Sequence, residues 1–270
     1  MGPSWDAELA FAEEIARAAG SVVRDGYGQP GNVRLKSARD VVTDVDVRAE
    51  TGLVTAIRER FADDSILTEE AGLVGAAGAA RLWVLDPLDG TVNYASAIPY
   101  FSVSVALVVD GRPAVGVVYD PLRDDLYAAS AGGSARLNGR EVRVSPKERL
   151  IDCVVSLTIL GAGGLERERA ITPAIRIHRR MGSAALSLAS VGAGRFDAFV
   201  QNGGLSRWDV AAAGLIAERG GALVTDLSGG EWWDPDQAGS MLNVVAASPP
   251  IHATLLGLLA TVQTTVQTRP

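Results

Sequence analysis

The sequence predicts an α/β fold built as two consecutive halves, residues 1–145 and 146–270. In the first half, alternating apolar residues at positions 101–109 and the tight turns that follow predict an antiparallel sheet. In the smaller second half, short strands alternate with helices, as in a mixed α/β unit. Because 47% of its 270 residues are hydrophobic, the chain can bury a core large enough for one or two closely packed domains.

The individual elements are predicted from apolar spacing and from turn residues. Apolar residues three and four positions apart indicate helices, alternation indicates strands, and Gly, Pro, Asn-Gly and Asp-Gly mark their ends. The predicted helices cover residues 4–24, the stretch after residue 46, 183–193, 208–219 and the stretch after residue 250. The predicted strands cover residues 65–67, 82–85, 101–109, 115–119, 126–129, 153–157, 196–201, 222–224 and 244–247.

The charge and composition exclude several classes of partner. A net charge of −7 without a basic block argues against nucleic acid or an anionic membrane surface, and it means that binding a phosphate requires a metal. No stretch reaches the roughly 18 apolar residues of a membrane span, and acids interrupt the N-terminal segment where a signal peptide is apolar. We therefore expect a soluble cytoplasmic protein. The single Cys153 excludes an internal disulfide and suits a buried strand.

An acidic turn follows the strand predicted at residues 82–85. Asp86 and Asp89 lie three residues apart in it, and the N–H groups of Gly90 and Thr91 are placed to open a helix, as at a phosphate-binding helix N-terminus. Carboxylates for cations would then lie beside donors for an anion. An ordinary Asp-Gly turn with a threonine cap explains the same residues without a function, and this stretch alone does not decide between them.

Two more acids fall at the ends of predicted elements. Glu69 follows the strand at residues 65–67, and Asp209 begins a helix. Such ends are where α/β folds place their sites. With Asp86 and Asp89 these residues would form a rim of four oxygen ligands, which suits Mg²⁺. Two such ions commonly stabilise the attacking and leaving oxygens when a nucleophile displaces a group at phosphorus.

Three aspartates, Asp40, Asp44 and Asp46, precede the second predicted helix. Capping that helix is the usual role of aspartate at such positions, and it accounts more readily for Asp44 than for Asp46. The spacing of Asp44 and Asp46 also imitates the D-x-D of phosphatases that use an aspartyl nucleophile. A helix follows directly and no partner lysine motif is evident, so a covalent mechanism is only a minor alternative.

Other catalytic devices have little support in the sequence. It has no G-x-S-x-G elbow, and only His178 and His252 offer an imidazole base. Residues 161–164 imitate a dinucleotide-binding turn, but Glu166 stands at the third glycine position. Neither a serine hydrolase nor a dinucleotide enzyme is expected.

The acidic motifs resemble those of the inositol monophosphatase family of Mg²⁺-dependent, lithium-sensitive phosphomonoesterases. Residues 40–46, 68–70, 83–94 and 208–212 carry the resemblance over nearly the whole chain, with residues 182–185 in support. It implies a layered α-β-α-β-α sandwich, commonly assembled as a homodimer. It also implies hydrolysis of a small polyol or sugar monophosphate, such as inositol 1-phosphate, by a metal-activated water without a covalent intermediate.

The resemblance assigns a role to particular residues of this chain. Two Mg²⁺ ions would be held by Glu69, Asp86, the carbonyl of Leu88, Asp89 and Asp209, with a third, weaker ion near Glu69. The attacking water would be oriented and deprotonated by Thr91 and Asp46, which with Glu69 form the catalytic set. Substrate and phosphate would contact Gly90, Thr91, Asp89, Ala184, Asn202 and Asp209. Lys36 and Asp40 would lie on a mobile loop near the third ion.

Two departures from the family pattern concern the substrate. Asn202 stands where relatives acting on inositol phosphates often carry a glutamate that holds a sugar hydroxyl, and the segment between residues 156 and 178 looks shortened. Because asparagine both donates and accepts, we expect weaker discrimination among small phosphate esters. Histidinol phosphate and fructose 1,6-bisphosphate are therefore alternative substrates.

A function of another class is a catalytically silent, metal-binding regulatory relative. Such a protein would be free to lose Thr91, Asp46 or one of the acids. The complete set in this sequence favours an active phosphatase.

Overall fold

The computed structural model describes residues 4–29, 31–37, 40–160, 164–237, 239 and 241–267, with residues 36, 37, 40 and 262–267 as backbone only. Over this part of the chain, the elements stack as helices, sheet, helices, sheet and helices. This arrangement confirms the predicted five-layered α-β-α-β-α sandwich.

The described elements extend most of the predicted ones and add several short ones. The helices are α1 (Asp6–Asp25), α2 (Asp44–Arg60), α3 (Thr91–Ala95), α4 (Gly164–Ile171), α5 (Ala184–Gly192), α6 (Arg207–Arg219) and α7 (Pro249–Gln267). The strands are β1 (Val33–Ser37), β2 (Asp40–Thr43), β3 (Ser65–Thr68), β4 (Gly72–Val74), β5 (Arg81–Asp89), β6 (Ser102–Val109), β7 (Arg112–Asp120), β8 (Asp125–Ser130), β9 (Arg136–Leu137), β10 (Arg140–Glu141), β11 (Val154–Ile159), β12 (Ile177–Arg179), β13 (Ala198–Leu205), β14 (Leu223–Thr225) and β15 (Leu242–Ala247).

The first outer layer consists of α1 and α2, which bury their apolar stripes on one face of the larger sheet. Trp83 of β5 is fully buried at this interface, and its ring centroid lies 5.7 Å from that of Phe11 and 5.4 Å from that of Phe61. Aromatic contacts of this kind add to the burial of apolar area. They fix α2, and with it the acids of its first turn, relative to β5.

The larger sheet has eight described strands in the order β10-β9-β8-β7-β6-β5-β3-β4. Strands β5 to β10 pair antiparallel in sequence order, which confirms the predicted meander. The sequence did not indicate that β3 and β5 pair in parallel, with Thr68 opposite Leu85. Because the register is parallel, the residues that follow, Glu69 and Asp86, come to the same edge of the sheet.

The end of β5 differs from the prediction, which stopped the strand at residue 85. The strand continues to Asp89, with a register shift between Asp86 and Asp89 where it pairs with β6. Such a bulge leaves a residue outside the ladder, and it accommodates Pro87, which has no N–H to donate. The acidic stretch is therefore a bulged strand end, and the turn comes only at Gly90.

The middle layer consists of α5 and α6, which pack between the two sheets. Its tightest approach to the larger sheet is at Gly116 of β7, where a Cβ atom would lie 2.7 Å from the backbone oxygen of Ala212 and 2.8 Å from its Cα. Only glycine fits this contact without a shift of α6. Helix α6 carries Asp209, so the packing at Gly116 also sets the position of that carboxylate.

The smaller sheet, in the order β12-β11-β13-β15-β14, is covered on its other face by α4 and α7. The segment between residues 156 and 178, in which no element was predicted after residue 157, contains the end of β11, α4 and the start of β12; residues 161–163 lie outside the described residues. Cys153 is buried, as expected, but it lies immediately before β11 and not within the strand; burial raises the pKa of its thiol to about 11.

The last strand of the larger sheet ends at Glu141 and the first strand of the smaller sheet begins at Val154. A division into two halves at residue 146 remains a proposal, since α5 and α6 pack on both sheets. Among the described helices, none is long and apolar enough to cross a lipid bilayer.

Replacing Gly116 with alanine tests the close contact between β7 and α6. Because the added methyl group meets backbone atoms, we expect the free energy of unfolding to fall by about 1 to 3 kcal/mol. Urea denaturation followed by circular dichroism measures it. The matched control is Gly52→Ala in α2, where no heavy atom lies within 4 Å of the new Cβ; it should be neutral or stabilising by up to about 1 kcal/mol. Equal midpoints for G116A and the parent protein would contradict the packing argument.

Candidate active site

A polar pocket of about 590 Å³ opens where the ends of β3 and β5 meet the first turns of α3 and α6. Its lining consists of Glu69, Glu70, Asp86, Leu88, Asp89, Gly90, Thr91, Val92, Gly182, Gly204, Ser206, Trp208 and Asp209. Seven of the residues singled out in the sequence, from Glu69 to Asp209, are therefore brought together. Elements from both halves of the chain contribute to it.

Three carboxylates form the floor of this pocket. Asp86, Asp89 and Asp209 each place an oxygen within 4.8 Å of the other two, and Asp86 and Asp89 are only 1% and 6% exposed. Burial, followed by the charges of Glu69, Asp89 and Asp209, raises the pKa of Asp86 well above its ordinary value. Burial also raises the pKa of Asp89, although its hydrogen bonds oppose the shift. The cluster is electrostatically unfavourable until a cation shares it.

Asp89 is held by the N-terminus of α5, 95 residues further along the chain. Its Oδ1 accepts from the N–H of Ala184 at 3.1 Å, and its Oδ2 accepts from the N–H of Ala185 at 3.0 Å and from the hydroxyl of Ser183. Aspartate thus satisfies N–H groups that a helix N-terminus leaves open and also complements its dipole. The family pattern assigned Ala184 to the substrate, and in this structure its N–H is already bonded to Asp89.

Asp209 is the third residue of α6 and belongs to a capping box with Ser206. The N–H of Ser206 donates to Asp209 Oδ2 at 2.6 Å. Capping, which was the ordinary explanation for an aspartate at this position, is therefore correct. Membership in the carboxylate cluster is correct as well, because the other oxygen can face the pocket.

Asp46 occupies the same position in α2, where it forms a capping box with Thr43. Its Oδ2 accepts from the N–H of Thr43 at 2.9 Å, while its Oδ1 lies 3.2 Å from the hydroxyl of Thr91. Asp46 is 1% exposed, and burial raises its pKa against the opposing hydrogen bonds from Thr43 and Thr91. Asp44, by contrast, is half-buried and takes no part in the capping box; it accepts from the backbone N–H and the side chain of Asn32.

Thr91 lies between Asp46 and the end of β5. Its hydroxyl is 2.9 Å from the carbonyl oxygen of Leu88 and 3.2 Å from Asp46. A hydroxyl has one proton, so Thr91 can donate to only one of these acceptors at a time. This pair is suited to moving a proton between a water in the pocket and Asp46.

Glu69 lines the pocket but is not one of the three clustered acids. The segment around it is held by Glu50 of α2, which is 7% exposed. Glu50 accepts from the N–H of Glu70 at 3.0 Å, from the N–H of Ala71 at 3.1 Å and from the hydroxyl of Thr68. One buried carboxylate thus fixes the turn that presents Glu69.

The turn at Gly90 joins the acidic strand end to α3. Gly90 has φ of +96°, and a Cβ there would lie 3.2 Å from the carbonyl oxygens of Tyr100 and Gly182. The side-chain amide of Asn93 donates to the carbonyls of Tyr100 and Met181, each at 2.7 Å. The first turn of α3 is therefore tied to the segment that precedes α5, and glycine is required at position 90.

The donor set fits a divalent cation such as Mg²⁺. It consists of hard carboxylate oxygens, with the carbonyl of Leu88 beside them and the N–H of Leu88 already bound to Asp86 Oδ1 at 2.9 Å. Magnesium prefers such oxygens and keeps several waters, for which the pocket has room. Two buried acids and a half-buried third lie together without any described lysine or arginine in the lining, and this is the observation that calls for a cation.

Five of the residues assigned by the family pattern are not among the described lining of the pocket: Asp46 and Ala184, which are bonded to Thr91 and Asp89 of that lining, and Asn202, Lys36 and Asp40. Asn202 lies on β13, and its amide donates to the carbonyl of Leu160 at 3.1 Å; it does not line the described pocket. Lys36 and Asp40 lie in β1 and β2, the two strands of a hairpin, and their side chains lie outside the described residues.

Glu50, Asn93 and Ser183 are functional candidates that sequence reasoning did not identify. Asn93 and Ser183 lay inside the quoted motifs but had no assigned role, because their partners are 88 and 94 residues away. The only signal for Glu50 was a glutamate on the otherwise apolar face of α2, at the spacing of Asp46 and Leu53.

The fold and the site define a five-layered α/β protein with a carboxylate cluster for a divalent cation. The chain belongs to the inositol monophosphatase family, since that family's pattern matches residues 5–266. Nus factor SuhB of Pasteurella multocida is 37% identical over 261 residues, which are 92% of this chain and 94% of that protein.

Solved structures show the same similarity. The extragenic suppressor protein SuhB of Bartonella henselae superposes with a TM-score of 0.87 at 32% identity, over 94% of this chain and 98% of that one. An IMPase of Thermotoga maritima gives a TM-score of 0.85 at 33% identity, over 96% and 99% of the two chains. These matches confirm the predicted family and the predicted fold.

The substitution Asp86→Asn tests the repulsion within the cluster. The pKa of Asp86 in the folded protein lies above its ordinary value of 3.8, so the protonated acid stabilises the fold at low pH and this stabilisation is lost as the pH rises through the raised pKa. In excess chelator near neutral pH, we therefore expect the free energy of unfolding of the variant to exceed that of the parent by about 1 kcal/mol or more. The variant should accordingly unfold at a higher temperature. Near pH 4 the difference should shrink.

Thermal unfolding across this pH range, with and without Mg²⁺, provides the measurement. Mg²⁺ should stabilise the parent by mass action and stabilise D86N much less. Asp110→Asn is the matched control, because Asp110 is exposed in a turn with positive φ that asparagine tolerates. A metal-free D86N protein that is less stable than the parent near neutral pH would contradict the assignment.

The substitution Glu50→Gln tests the support of Glu69. The amide keeps one acceptor oxygen but turns its NH₂ group towards a donor of the turn, so the N–H of Glu70 or of Ala71 loses its acceptor. We expect a loss of about 1 to 3 kcal/mol in the free energy of unfolding and a weaker stabilisation by Mg²⁺. Glu59→Gln, at an exposed position of the same helix, should change neither quantity. Unchanged Mg²⁺ stabilisation in E50Q would rule out a role for Glu50 in placing Glu69.

Proposed function

We propose that this protein is a Mg²⁺-dependent phosphatase that hydrolyses small polyol or sugar monophosphates. The observation that carries the proposal is the convergence of Asp86, Asp89 and Asp209 within 4.8 Å at the floor of a polar pocket. Three like charges this close together, two of them buried, are costly without a cation, and their oxygens are the ligands that Mg²⁺ prefers. Membership in the inositol monophosphatase family supports the same activity.

The site would take two Mg²⁺ ions and a third, weaker one. Glu69, Asp86 and the carbonyl of Leu88 would hold the first ion, and Asp86, Asp89 and Asp209 the second. The third would lie near Glu69, within reach of the hairpin that carries Lys36 and Asp40. Bound Mg²⁺ would neutralise the phosphate dianion and withdraw electron density from its phosphorus.

Residues of the chain would hold the phosphate and activate the water. The N–H groups of Gly90 and Thr91, at the rim of the pocket, would donate to phosphate oxygens. A water bonded to Thr91 Oγ1 would give its proton to that oxygen, while the Thr91 hydroxyl passes its own proton to Asp46, 3.2 Å away. The raised pKa of Asp46 makes its carboxylate a stronger base than an exposed aspartate.

The reaction would need no protein nucleophile. The oxygen of the deprotonated water bonds to phosphorus, the ester P–O bond breaks, and the alcohol leaves after taking a proton from solvent. The carboxylates of the floor would hold the cation and already accept backbone N–H groups, and the D-x-D aspartate Asp46 is hydrogen-bonded to Thr43 and Thr91. This supports direct hydrolysis without a covalent intermediate.

Inositol 1-phosphate is the leading single substrate, and histidinol phosphate and fructose 1,6-bisphosphate are the alternatives. Asn202 lies outside the described pocket and donates to the carbonyl of Leu160, so no carboxylate at that position selects for sugar hydroxyls, and we expect weak discrimination among esters. A homodimer and inhibition by lithium are carried over from the family. Lithium inhibition is measured against a sodium chloride control.

Phosphate release from a panel of esters by the purified protein tests the proposal. We expect turnover with Mg²⁺ and none in excess chelator, and we expect Asp209→Asn to lower kcat by about a hundredfold or more. Asp209→Asn keeps an oxygen for the N–H of Ser206, so the protein should remain folded. Full turnover in excess chelator would refute the proposal.

Two further variants separate the roles within the site. Thr91→Ala should lose turnover to a similar extent while keeping its stabilisation by Mg²⁺, because its hydroxyl is assigned to the water and to no cation. Asp110→Asn, outside the pocket, should behave as the parent. Loss of Mg²⁺ stabilisation in T91A would instead make Thr91 part of the cation site.

A second role is suggested by the name of the relatives. The similar protein of Escherichia coli is a Nus factor, and we propose a corresponding non-catalytic role for this chain beside hydrolysis. Replacing SuhB in Escherichia coli by this chain, or by its D209N variant, tests this. If the chain and its D209N variant can each substitute for SuhB, a role independent of turnover is supported. If neither can, that role is excluded.

A further inference from the structure

Tyr100 lies outside the motifs of the sequence, yet it contacts both α3 and α5. It is half-buried and precedes β6. Its carbonyl oxygen accepts from the side-chain amide of Asn93 in α3 at 2.7 Å, and its hydroxyl lies 3.2 Å from the hydroxyl of Ser187 in α5. One residue thus joins the helix that follows the turn at Gly90 to the helix that holds Asp89.

Ser187 extends this contact to the N-terminus of α5. It is 1% exposed, and its hydroxyl donates to the carbonyl oxygen of Ser183 at 2.6 Å. A serine hydroxyl has one proton, so the oxygen of Ser187 is left to accept from Tyr100. Burial raises the pKa of Tyr100, which keeps the donated proton on the tyrosine. Tyr100 and Ser187 therefore hold the residue whose hydroxyl donates to Asp89, which is Ser183.

The packing of α5 does not by itself call for a serine at position 187. Apart from Ser187 and Ser190, residues 184–191 are alanine, leucine and valine, and the helix lies between the two sheets. Alanine would suit such a helix better, because serine is a weaker helix former and its hydroxyl must be taken out of water. The spacing of four and three residues from Ser183 places these serines on one face of the helix. Their buried hydroxyls face Tyr100 and Tyr127, so this polar face is built around hydrogen bonds.

We propose that Tyr100 and Ser187 are positioning residues for Asp89. Through Ser183 they hold the Asp89 carboxylate against the first turn of α5, while the carbonyl of Tyr100 holds the first turn of α3, whose start at Gly90 would bind the phosphate. Neither residue is among the described lining of the main pocket. This inference rests on the proposed function and deepens it, because it names the residues that set the cation ligand relative to the phosphate.

The substitution Tyr100→Phe tests the inference, since it removes the hydroxyl and keeps the ring and the backbone carbonyl. A less firmly held Asp89 should bind a cation more weakly, so we expect the dissociation constant for Mg²⁺, measured by calorimetric titration, to rise about tenfold. Ser187→Ala breaks the same link and should have the same effect. The double variant should be no worse than either single one, because all three lack the same link.

Tyr119→Phe is the matched control for a loss of stability. Tyr119 is buried, its hydroxyl donates to Asp124 at 2.9 Å, and it is not among the described lining of the pocket. We expect this variant to unfold at a lower temperature than the parent while binding Mg²⁺ as the parent does. The comparison separates positioning of Asp89 from a general contribution to the fold.

The outcomes separate this inference from the proposed function. A weaker Mg²⁺ affinity in Y100F and S187A, but not in Y119F, supports the positioning role. Unchanged affinity in Y100F with lowered stability, or fully additive losses in the double variant, overturns it. Should Y100F not fold, S187A alone decides. If the parent binds Mg²⁺ but hydrolyses no ester, the proposed function fails and the titrations still decide on Tyr100. A parent that binds no Mg²⁺ overturns the inference.

Discussion

Repulsion among buried carboxylates governs the construction of this site. Asp86 and Asp89 are buried and Asp209 is half-buried beside them, so without a cation each depends on hydrogen-bond donors of the chain to stay in place. The chain supplies backbone N–H groups: that of Leu88 for Asp86, the first turn of α5 for Asp89, and that of Ser206 for Asp209. The helix N-termini and the bulged strand end are thereby parts of one electrostatic unit.

That unit depends on backbone geometry which is set elsewhere in the fold. The parallel pairing of β3 with β5 brings Glu69 to the edge where Asp86 lies, and Glu50 then fixes the turn after β3. On the other side, α6 reaches the sheet only because β7 has Gly116 at the contact. A change in either packing contact would move a carboxylate even though the changed residue does not line the pocket. The geometry of the site therefore depends on residues outside it.

The sequence was sufficient wherever a local pattern carried the information. Alternating apolar residues identified β6 to β8. Asp86, Asp89 and Asp209 were identified because each acid lies within a few residues of the sequence signal that marks the end of a strand or the start of a helix. Contacts between distant segments had no such pattern: the bond from Ser183 to Asp89 spans 94 residues. Short edge strands such as β12 were missed because three residues are too few to show an alternation of apolar and polar side chains. The end of β5 was missed because the residues of its bulge resemble those of a turn.

Helix capping and chemistry were alternatives in the sequence, yet Asp46 and Asp209 combine them. Each is the third residue of its helix and accepts the N–H of the residue that caps it. Capping requires only an oxygen, which asparagine or serine would supply at a lower desolvation cost than a buried carboxylate. The cap therefore explains where each aspartate lies but leaves its charge unexplained. A burial cost that folding alone does not require is what the proposed roles would explain, in which Asp209 holds a cation and Asp46 accepts a proton.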